Sequence, residues 1–274
     1  MTHVSSTARD REVGATLRDI GVHDSWSSGY RTPENVPFYN LAFDHIARIF
    51  GSPGEDVVLD AGCGSCTKSI QLARRGYSVL GVDLSDKVLE VGRLEAADAG
   101  LGDRIALRCE DLTSMTLADG CFGRVLCWGV LMHIPEVDRA IAELARVARK
   151  NGLIVVSEGN MRSLQAVAMR RLKRLLGRER GVLRDTAAGL EVWEETPTGK
   201  LMTRQARIDG IVRSFGEHGA RLVSRRAGQF SELFTVLPWK PARSLVHAVN
   251  SLWFRWPALA GPAFGNLLVF RKES

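Results

Sequence analysis

The sequence predicts an α/β fold of the Rossmann-like kind, on three observations. An apolar strand, Val57-Val58-Leu59, runs into Asp60-Ala61-Gly62-Cys63-Gly64, where two glycines let the backbone turn sharply and approach a ligand. About 20 residues further on, a second strand closes on Gly81-Val82-Asp83, an acid placed to take a ribose diol. From there to Val156 apolar runs alternate with amphipathic stretches, the pattern of a parallel sheet with right-handed crossovers.

The elements follow in order. Residues 1 to about 30 are polar with scattered apolar positions, and with Trp26, Tyr30, Pro33 and Pro37 they read as a short helical cover over the mouth of the domain. Val36 to Phe50 reads as a helix, with Tyr39, Phe43, Ile46 and Phe50 on one face, ended by Gly51-Ser52-Pro53-Gly54. The helix after the glycine loop carries Ile70, Leu72 and Ala73 and stops at Gly76; strand two is Ser78 to Val82, and Ser85 caps the next helix, which ends near Gly100. Ile105 to Leu107 is strand three, Arg124 to Trp128 strand four, and Leu153 to Val156 strand five, reached by a helix carrying Val137, Ile141, Leu144 and Val147.

After Asn160 the rhythm breaks. Met161 to about Leu183 has the pattern of a basic amphipathic helix, with Leu164, Ala168, Leu172 and Leu175 on one arc and Arg170, Lys173, Arg174 and Arg178 on the other. Trp193 to Met202 reads as a loop broken by Pro197 and Gly199, followed by a helix from about Thr203 to His218 and a strand from Arg221. Leu237 to Phe264 is rich in Trp and Pro, and Leu267 to Phe270 is a final strand. The predicted organisation is a helical cover at 1–50 and a main domain at 51–274, with insertions at about 161–202 and 237–263.

Charge divides the chain near Asn160. Residues 1–160 hold 17 Lys/Arg against 22 Asp/Glu, whereas residues 161–274 hold 20 against 9. The basic half suggests an anionic substrate, a membrane surface or a nucleic acid as partner. The first 20 residues are charged throughout and lack a long apolar run, so the expectation is a cytoplasmic enzyme, with peripheral membrane contact through helix 161–183 as a further option. Five cysteines are not a disulfide framework. Cys63-Gly64-Ser65-Cys66 spells C-x-x-C, but no second pair or histidine follows at ligand spacing, so it reads as two small residues in a tight loop, and no metal is expected.

A dinucleotide site uses three glycines; here the pattern is Gly62-x-Gly64-x-x-Thr67. Taken together, Val58-Leu59-Asp60-Ala61-Gly62-Cys63-Gly64, Gly81-Val82-Asp83-Leu84-Ser85, Cys109-Glu110-Asp111-Leu112 and Gly129-Val130-Leu131-Met132-His133-Ile134 resemble the class I S-adenosylmethionine-dependent methyltransferases of the small-molecule type, in the methyltransferase type 11, ubiquinone-biosynthesis-like group. The resemblance covers roughly Asp56 to Glu158. It implies a seven-stranded sheet in the order 3-2-1-4-5-7-6 with strand seven antiparallel, and S-adenosylmethionine as cofactor. Asp60, Gly62 and Gly64 would hold its methionine portion, Asp83 with Leu84 the ribose, and Asp111 with Leu112 the adenine. Trp128 is either core or a wall of the cleft. Where the family usually has another glycine, this chain has Cys66.

Methyl transfer from a sulfonium is an in-line displacement, so the protein mainly aligns an acceptor lone pair and excludes water. A high-pKa oxygen acceptor also needs a base. His133 is the natural candidate, against the alternative that it packs under the cofactor; Glu158, His23 and Tyr30 are further candidates, and Trp193 joins Tyr30, His133 and Glu158 as a candidate acceptor contact. The sequence therefore points to methylation, with oxygen favoured over nitrogen, of a small-molecule or lipid- or glycan-linked acceptor. RNA (tRNA) methylation, a non-catalytic S-adenosylmethionine-binding regulator and aminopropyl transfer are the rival readings. No RNA-binding motif accompanies the basic residues, so nucleic acid ranks below a small molecule.

Overall fold

The computed structural model describes residues 8–30, 32–177, 181–197, 199–256 and 258–273, the side chains of 8–11 and 24–28 excepted. Two helices, α1 (Ala8–Leu17) and α2 (Ile20–Tyr30), precede α3 (Val36–Phe50). There follow β1 (Val58–Ala61), α4 (Thr67–Ala73), β2 (Val79–Asp83), α5 (Asp86–Asp98), β3 (Ile105–Cys109), β4 (Phe122–Trp128), α6 (Val137–Val147) and β5 (Ala148–Gly159). Beyond them lie α7 (Leu164–Leu175), β6 (Val182–Thr186), β7 (Gly189–Thr196), β8 (Gly199–Ala206), α8 (Ile208–Glu217), β9 (Ala220–Ala227), α9 (Lys240–Arg255) and β10 (Gly265–Lys272).

Seven strands form one sheet in the order β3-β2-β1-β4-β5-β10-β9. β1 to β5 pair in parallel, whereas β10 runs antiparallel to both β5 and β9, so β10 and β9 take the seventh and sixth places of the expected order. All four residues of β1 are buried, as a central strand covered on both faces requires. One face packs α6 and α8 through Ile141, Leu144, Ile211 and Phe215, the last stacked on Phe270 at 4.1 Å. The other face packs α3 and α9, where Phe38, Phe43, Ile46 and Phe254 meet. Ser85 accepts a hydrogen bond from Val88 N and so caps α5, as its side chain suggested.

Two sequence expectations are corrected. The helix predicted over 161–183 ends at Leu175, with Gly177 at φ +60°; Gly181, at φ +78°, then leads into strand β6 (Arg178 lies outside the described residues, as does the side chain of Trp26). The Leu/Arg spacing runs on past the glycine that stops the helix, which is why the pattern over-reads. The stretch Trp193–Met202 is no loop: β6, β7 and β8 form a separate three-stranded antiparallel sheet, with Gly199 at φ +128° in the turn and the Thr196 hydroxyl donating to Gly199 O at 2.7 Å.

Part of the basic excess of the second half is taken up in ion pairs, buried at Arg204 and exposed at Arg162 and Arg221. Arg204 pairs with Glu191, Arg207 with Asp185, Arg221 with Glu273, and Arg162 and Arg225 with Asp209. Along α7 the charge stays outside, with Arg171 and Lys173 exposed. Of the apolar residues on α7 only Ala166 is buried, while Leu164, Leu172 and Leu175 face solvent.

Candidate active site

In an open parallel sheet the ligand crevice lies beyond the carboxyl ends of the strands, where the strand order reverses. Here the reversal falls between β1 and β4, and a cavity of about 850 Å³ opens there, reaching from the end of β3 to the start of β10. Its β1–β4 side carries Asp60, Gly62, Gly64, Asp83, Leu84, Asp111, Leu112 and Trp128, all predicted from the motifs.

The loop after β1 is built by backbone constraints. Gly62 sits at φ +75°, and a Cβ there would lie 2.5 Å from the Val130 methyls, so only glycine fits. Gly64, at φ +54°, faces open space instead, which lets the chain approach whatever fills the cavity. Cys66 takes the left-handed conformation at φ +68° although it is not glycine. Room for it comes from elsewhere: a Cβ on Gly92 of α5 would stand 2.5 Å from Cys66 Sγ, and one on Gly81 would stand 2.9 Å from Cys63 Sγ. Both thiols are buried and unpaired by disulfide, each seated in a glycine notch.

Asp83 closes the loop from below. Its Oδ2 accepts Gly64 N–H at 2.9 Å and its Oδ1 accepts Ser85 N–H at 3.1 Å. Burial raises its pKa, opposed by His23 and by those backbone donors. Asp60 is fully buried, accepts the Ser69 hydroxyl at 2.6 Å, and is pushed up to about 6 by desolvation, with Ser69 and Lys68 acting the other way. Asp111 lines the cavity but spends Oδ1 on Thr113 N (2.8 Å) and Thr113 Oγ1 (2.7 Å), a local turn. Trp128 is both wall and core: it lines the cavity and stacks on Phe43 of α3 at 5.5 Å.

Between the two sides stand Glu158 and His133. Glu158 Oε1 accepts Leu131 N–H at 3.0 Å, whereas Oε2 is buried without a hydrogen-bond partner. Burial pushes this carboxyl up to about 8, against the backbone bond and Arg204, so it is protonated at neutral pH. His133 faces the carbonyl of Met202 through Nδ1 at 3.4 Å. Because a carbonyl only accepts, Nδ1 carries the hydrogen and Nε2 the lone pair. Desolvation holds its pKa down at about 4, so the ring is neutral near pH 7 and a weak base.

The turn bearing His133 is pinned by a residue the motifs did not reveal. Arg204 of β8 is 1% exposed and donates to the carbonyls of Leu131 (2.9 Å), Ile134 (2.9 Å) and Pro135 (3.2 Å) while pairing with Glu191 at 2.7 Å. Glu191 and Arg204 stand directly opposite in the β7–β8 register. The sequence carries no signal for this pair: Arg204 alternates with Met202 and Ala206 as a buried position of β8 only once the strand is folded, and as a charged residue it breaks the apolar pattern. Trp193, a predicted acceptor contact, does not line the cavity; its indole donates to Glu191 and its ring takes the Arg184 guanidinium.

The N-terminal helices cover the mouth. Gly14, Leu17, Arg18, His23 and Tyr30 line the cavity, and Ser85 Oγ donates to Arg18 O, tying the cover to the loop after β2. On the β10 side the lining includes Gln229, Glu232, Phe264 and Gly265. Tyr30 donates its hydroxyl to Glu232 Oε2 at 3.1 Å across 202 residues of chain. Among the described residues no group of three or more His, Cys, Asp and Glu side chains is arranged to hold a metal.

Comparison with known proteins bears on the fold and the family. Residues 59–156 match the family described as methyltransferase domain. A ubiquinone biosynthesis O-methyltransferase of Nitrosomonas europaea is 32% identical over 121 residues, 44% of this chain and 51% of that protein. One from Cupriavidus pinatubonensis is 32% identical over 174 residues, 62% of this chain and 66% of the relative. The chain thus spans about half to two thirds of the length of these relatives. Among solved structures, magnesium protoporphyrin IX methyltransferase from Synechocystis, with bound S-adenosylhomocysteine, superposes with a TM-score of 0.62 at 18% identity over 95% of this chain and 98% of the other, a likeness of fold.

Proposed function

The chain carries a class I S-adenosylmethionine-dependent methyltransferase domain, and from that premise we propose that it transfers a methyl group from S-adenosylmethionine to a small-molecule acceptor, with oxygen as the accepting atom. One observation carries the reading: the two glycines, Asp83, Asp111 and Trp128 converge on one cavity at the switch point of the sheet.

The residues present fit the donor. Gly64 leaves the loop open where a side chain would stand, and Asp83 is held at the end of β2 by two backbone donors, with lone pairs left for a diol. Asp60 and Asp83 put carboxyl groups on the side that would meet a cationic ligand. A cavity of about 850 Å³ holds a nucleoside, an amino-acid chain and a small acceptor together. Bound there, S-adenosylmethionine supplies an electrophilic methyl group on a sulfonium. The chain supplies alignment and exclusion of water: α1 and α2 cover the mouth, Trp128 is fixed by Phe43, and Arg204 fixes the turn carrying His133. His133, neutral and of low basicity, serves better as a positioned hydrogen-bond partner of the acceptor than as the base.

The setting of the acceptor is read from α7. This helix begins beside the cavity, where Leu164 N donates to Pro262 O and Gln165 accepts from Glu232 N, and it exposes Leu164, Leu172 and Leu175 along with Arg171 and Lys173. Trp239 and Trp256, at the two ends of α9, are 73% and 78% exposed. Basic and apolar groups together suit an anionic lipid surface and a lipid-linked acceptor. Arg204, Arg207 and Arg221 are each matched by an acid, which leaves less unpaired positive charge for RNA. No described helix is long and apolar enough to cross a membrane.

The test is incubation with methyl-labelled S-adenosylmethionine and an extract divided into polar metabolites, lipids, RNA and protein. Label is expected in the lipid or polar-metabolite fraction. S-adenosylmethionine binding without label in any fraction sinks the enzymatic reading in favour of a regulator, label confined to RNA replaces the acceptor class, and preference for the decarboxylated donor marks aminopropyl transfer.

A further inference from the structure

Glu232 is an acid the motifs did not point to, and its surroundings are unusually determined. It sits just before a short turn, Leu233–Thr235, that leads from β9 to α9. Its N–H donates to Gln165 Oε1 at 2.8 Å, and the same oxygen accepts the Ser231 hydroxyl at 2.8 Å. Ser231 is gripped through its N–H and its carbonyl by the fully buried Asn250, both at 2.9 Å. Two helices, α7 and α9, thus fix the backbone that presents this carboxylate.

The side chain is fixed from a third direction. Tyr30 donates to Oε2 and is itself set by an edge-on contact with Phe234 at 6.1 Å; its carbonyl accepts from Asn35, whose Oδ1 accepts from Gln229 at 3.1 Å. Tyr30, Gln229 and Glu232 all line the cavity. Among the described residues no cation pairs with Glu232, so the carboxyl is not half of a structural ion pair. A desolvated acid without a cation costs stability, and such groups gather at functional sites. Burial, opposed by the Tyr30 bond, pushes its pKa up to about 7, where a proton acceptor works best at neutral pH.

Position separates it from the donor. Asp60 lies in β1, Asp83 ends β2 and Asp111 follows β3, whereas Glu232 follows β9 and stands with Phe264 and Gly265 at the start of β10, across β4 and β5 from them.

We propose that Glu232, held by Tyr30, binds the acceptor through a hydroxyl group and accepts its proton during transfer. This rests on the methyltransferase reading and adds to it the acceptor's functional group and the base. The acceptor O–H bond breaks with its proton passing to the Glu232 carboxylate. An oxygen electron pair forms the new O–CH₃ bond as the methyl–sulfur bond breaks, its electrons remaining on a neutral thioether sulfur.

The test uses the full chain, Glu232→Gln and Tyr30→Phe, with calorimetric titration of S-adenosylmethionine and, separately and without it, absorbance titration of 4-nitrophenol as a hydroxyl probe, with 4-nitroanisole as its counterpart lacking the hydroxyl. Glu232→Gln is expected to keep S-adenosylmethionine affinity within about twofold and to bind 4-nitrophenol at least roughly tenfold more weakly; Tyr30→Phe is expected to lose about three- to fivefold on the probe. In labelled transfer, Glu232→Gln is expected to abolish the rise in rate between about pH 6 and 8. Unchanged phenol binding in Glu232→Gln, or 4-nitroanisole bound as tightly as the phenol by the wild type, overturns the proposal while leaving the methyltransferase reading standing. Failure of the wild type to bind S-adenosylmethionine overturns both.

Discussion

The two sides of the cavity are built by different means. On the β1–β4 side the loop and its acids are fixed by neighbours close in sequence or on the next strand: Gly64 by Asp83, 19 residues on, and Asp111 by Thr113, two residues on. On the β10 side the partners are far apart, Tyr30 to Glu232 across 202 residues and Ser231 to Gln165 across 66. The first arrangement is a local device that any chain with the motif can build. The second exists only when three remote segments are folded together, and it can change without disturbing the donor site. That separation lets one fold keep its donor and vary its acceptor.

The largest effect is expected where the added hairpin meets the common fold. Arg204→Leu leaves Glu191 buried without its cation and three carbonyls without their donor, so urea unfolding should show a loss of about 3–5 kcal/mol. The double variant Glu191→Leu, Arg204→Leu should recover much of it; no recovery would mean that the carbonyl bonds, not the stranded charge, dominate.

A pH experiment addresses the boundary between the two sides. Glu158 has a pKa of about 8 in the folded protein against 4.5 ordinarily, so the folded state holds a proton that the unfolded chain releases between those values. Its favourable contribution is therefore complete below about pH 4.5 and is lost as pH rises through 8. Glu158→Gln should flatten the decline in stability across that window and be on the order of 3 kcal/mol more stable than wild type at its alkaline end. Parallel pH curves for the two proteins would refute this.

Within the donor side, Asp83→Asn leaves one carbonyl oxygen where two backbone donors now have two, and removes the charge facing the cavity. Affinity for S-adenosylmethionine should fall roughly 10- to 100-fold by calorimetry, from the loss of about 1.5–3 kcal/mol of charge-assisted bonding. Gly92→Ala should cost about 1–3 kcal/mol, because its Cβ meets the Cys66 sulfur. Cys66→Gly in the same chain should restore that stability, and if it does not, the notch explanation for Cys66 is wrong.

The smallest effect is expected on α7. Leu172→Ser, at an exposed position, should shift the unfolding midpoint by an amount worth less than about 0.5 kcal/mol. It should nonetheless reduce sedimentation with vesicles containing phosphatidylserine; unchanged sedimentation would detach the helix from any lipid surface.

Much of this was legible in the residues. The predicted helix Val36–Phe50 and the five parallel strands stand where the periodicity placed them, because each is written by local apolar spacing. The hairpin β7–β8 was not legible: Glu191, Glu194, Glu195, Arg204 and Gln205 hide its alternation, and its one fully buried cation is tolerated only because Glu191 and three carbonyls surround it. Trp193 illustrates the same limit, an aromatic suited by type to an acceptor but turned by its strand toward Glu191 and Arg184.

By itself, then, the sequence determined the α/β class, the glycine loop and the acids at the ends of β1, β2 and β3, since backbone torsion and strand periodicity act over a few residues. Tertiary structure alone decided that Gly92 makes room for Cys66, that Arg204 anchors the turn of His133, and that Tyr30 and Glu232 meet at the far end of the cavity. These depend on which remote surfaces come within hydrogen-bond or van der Waals distance, and such distances are set by the packing of the whole chain.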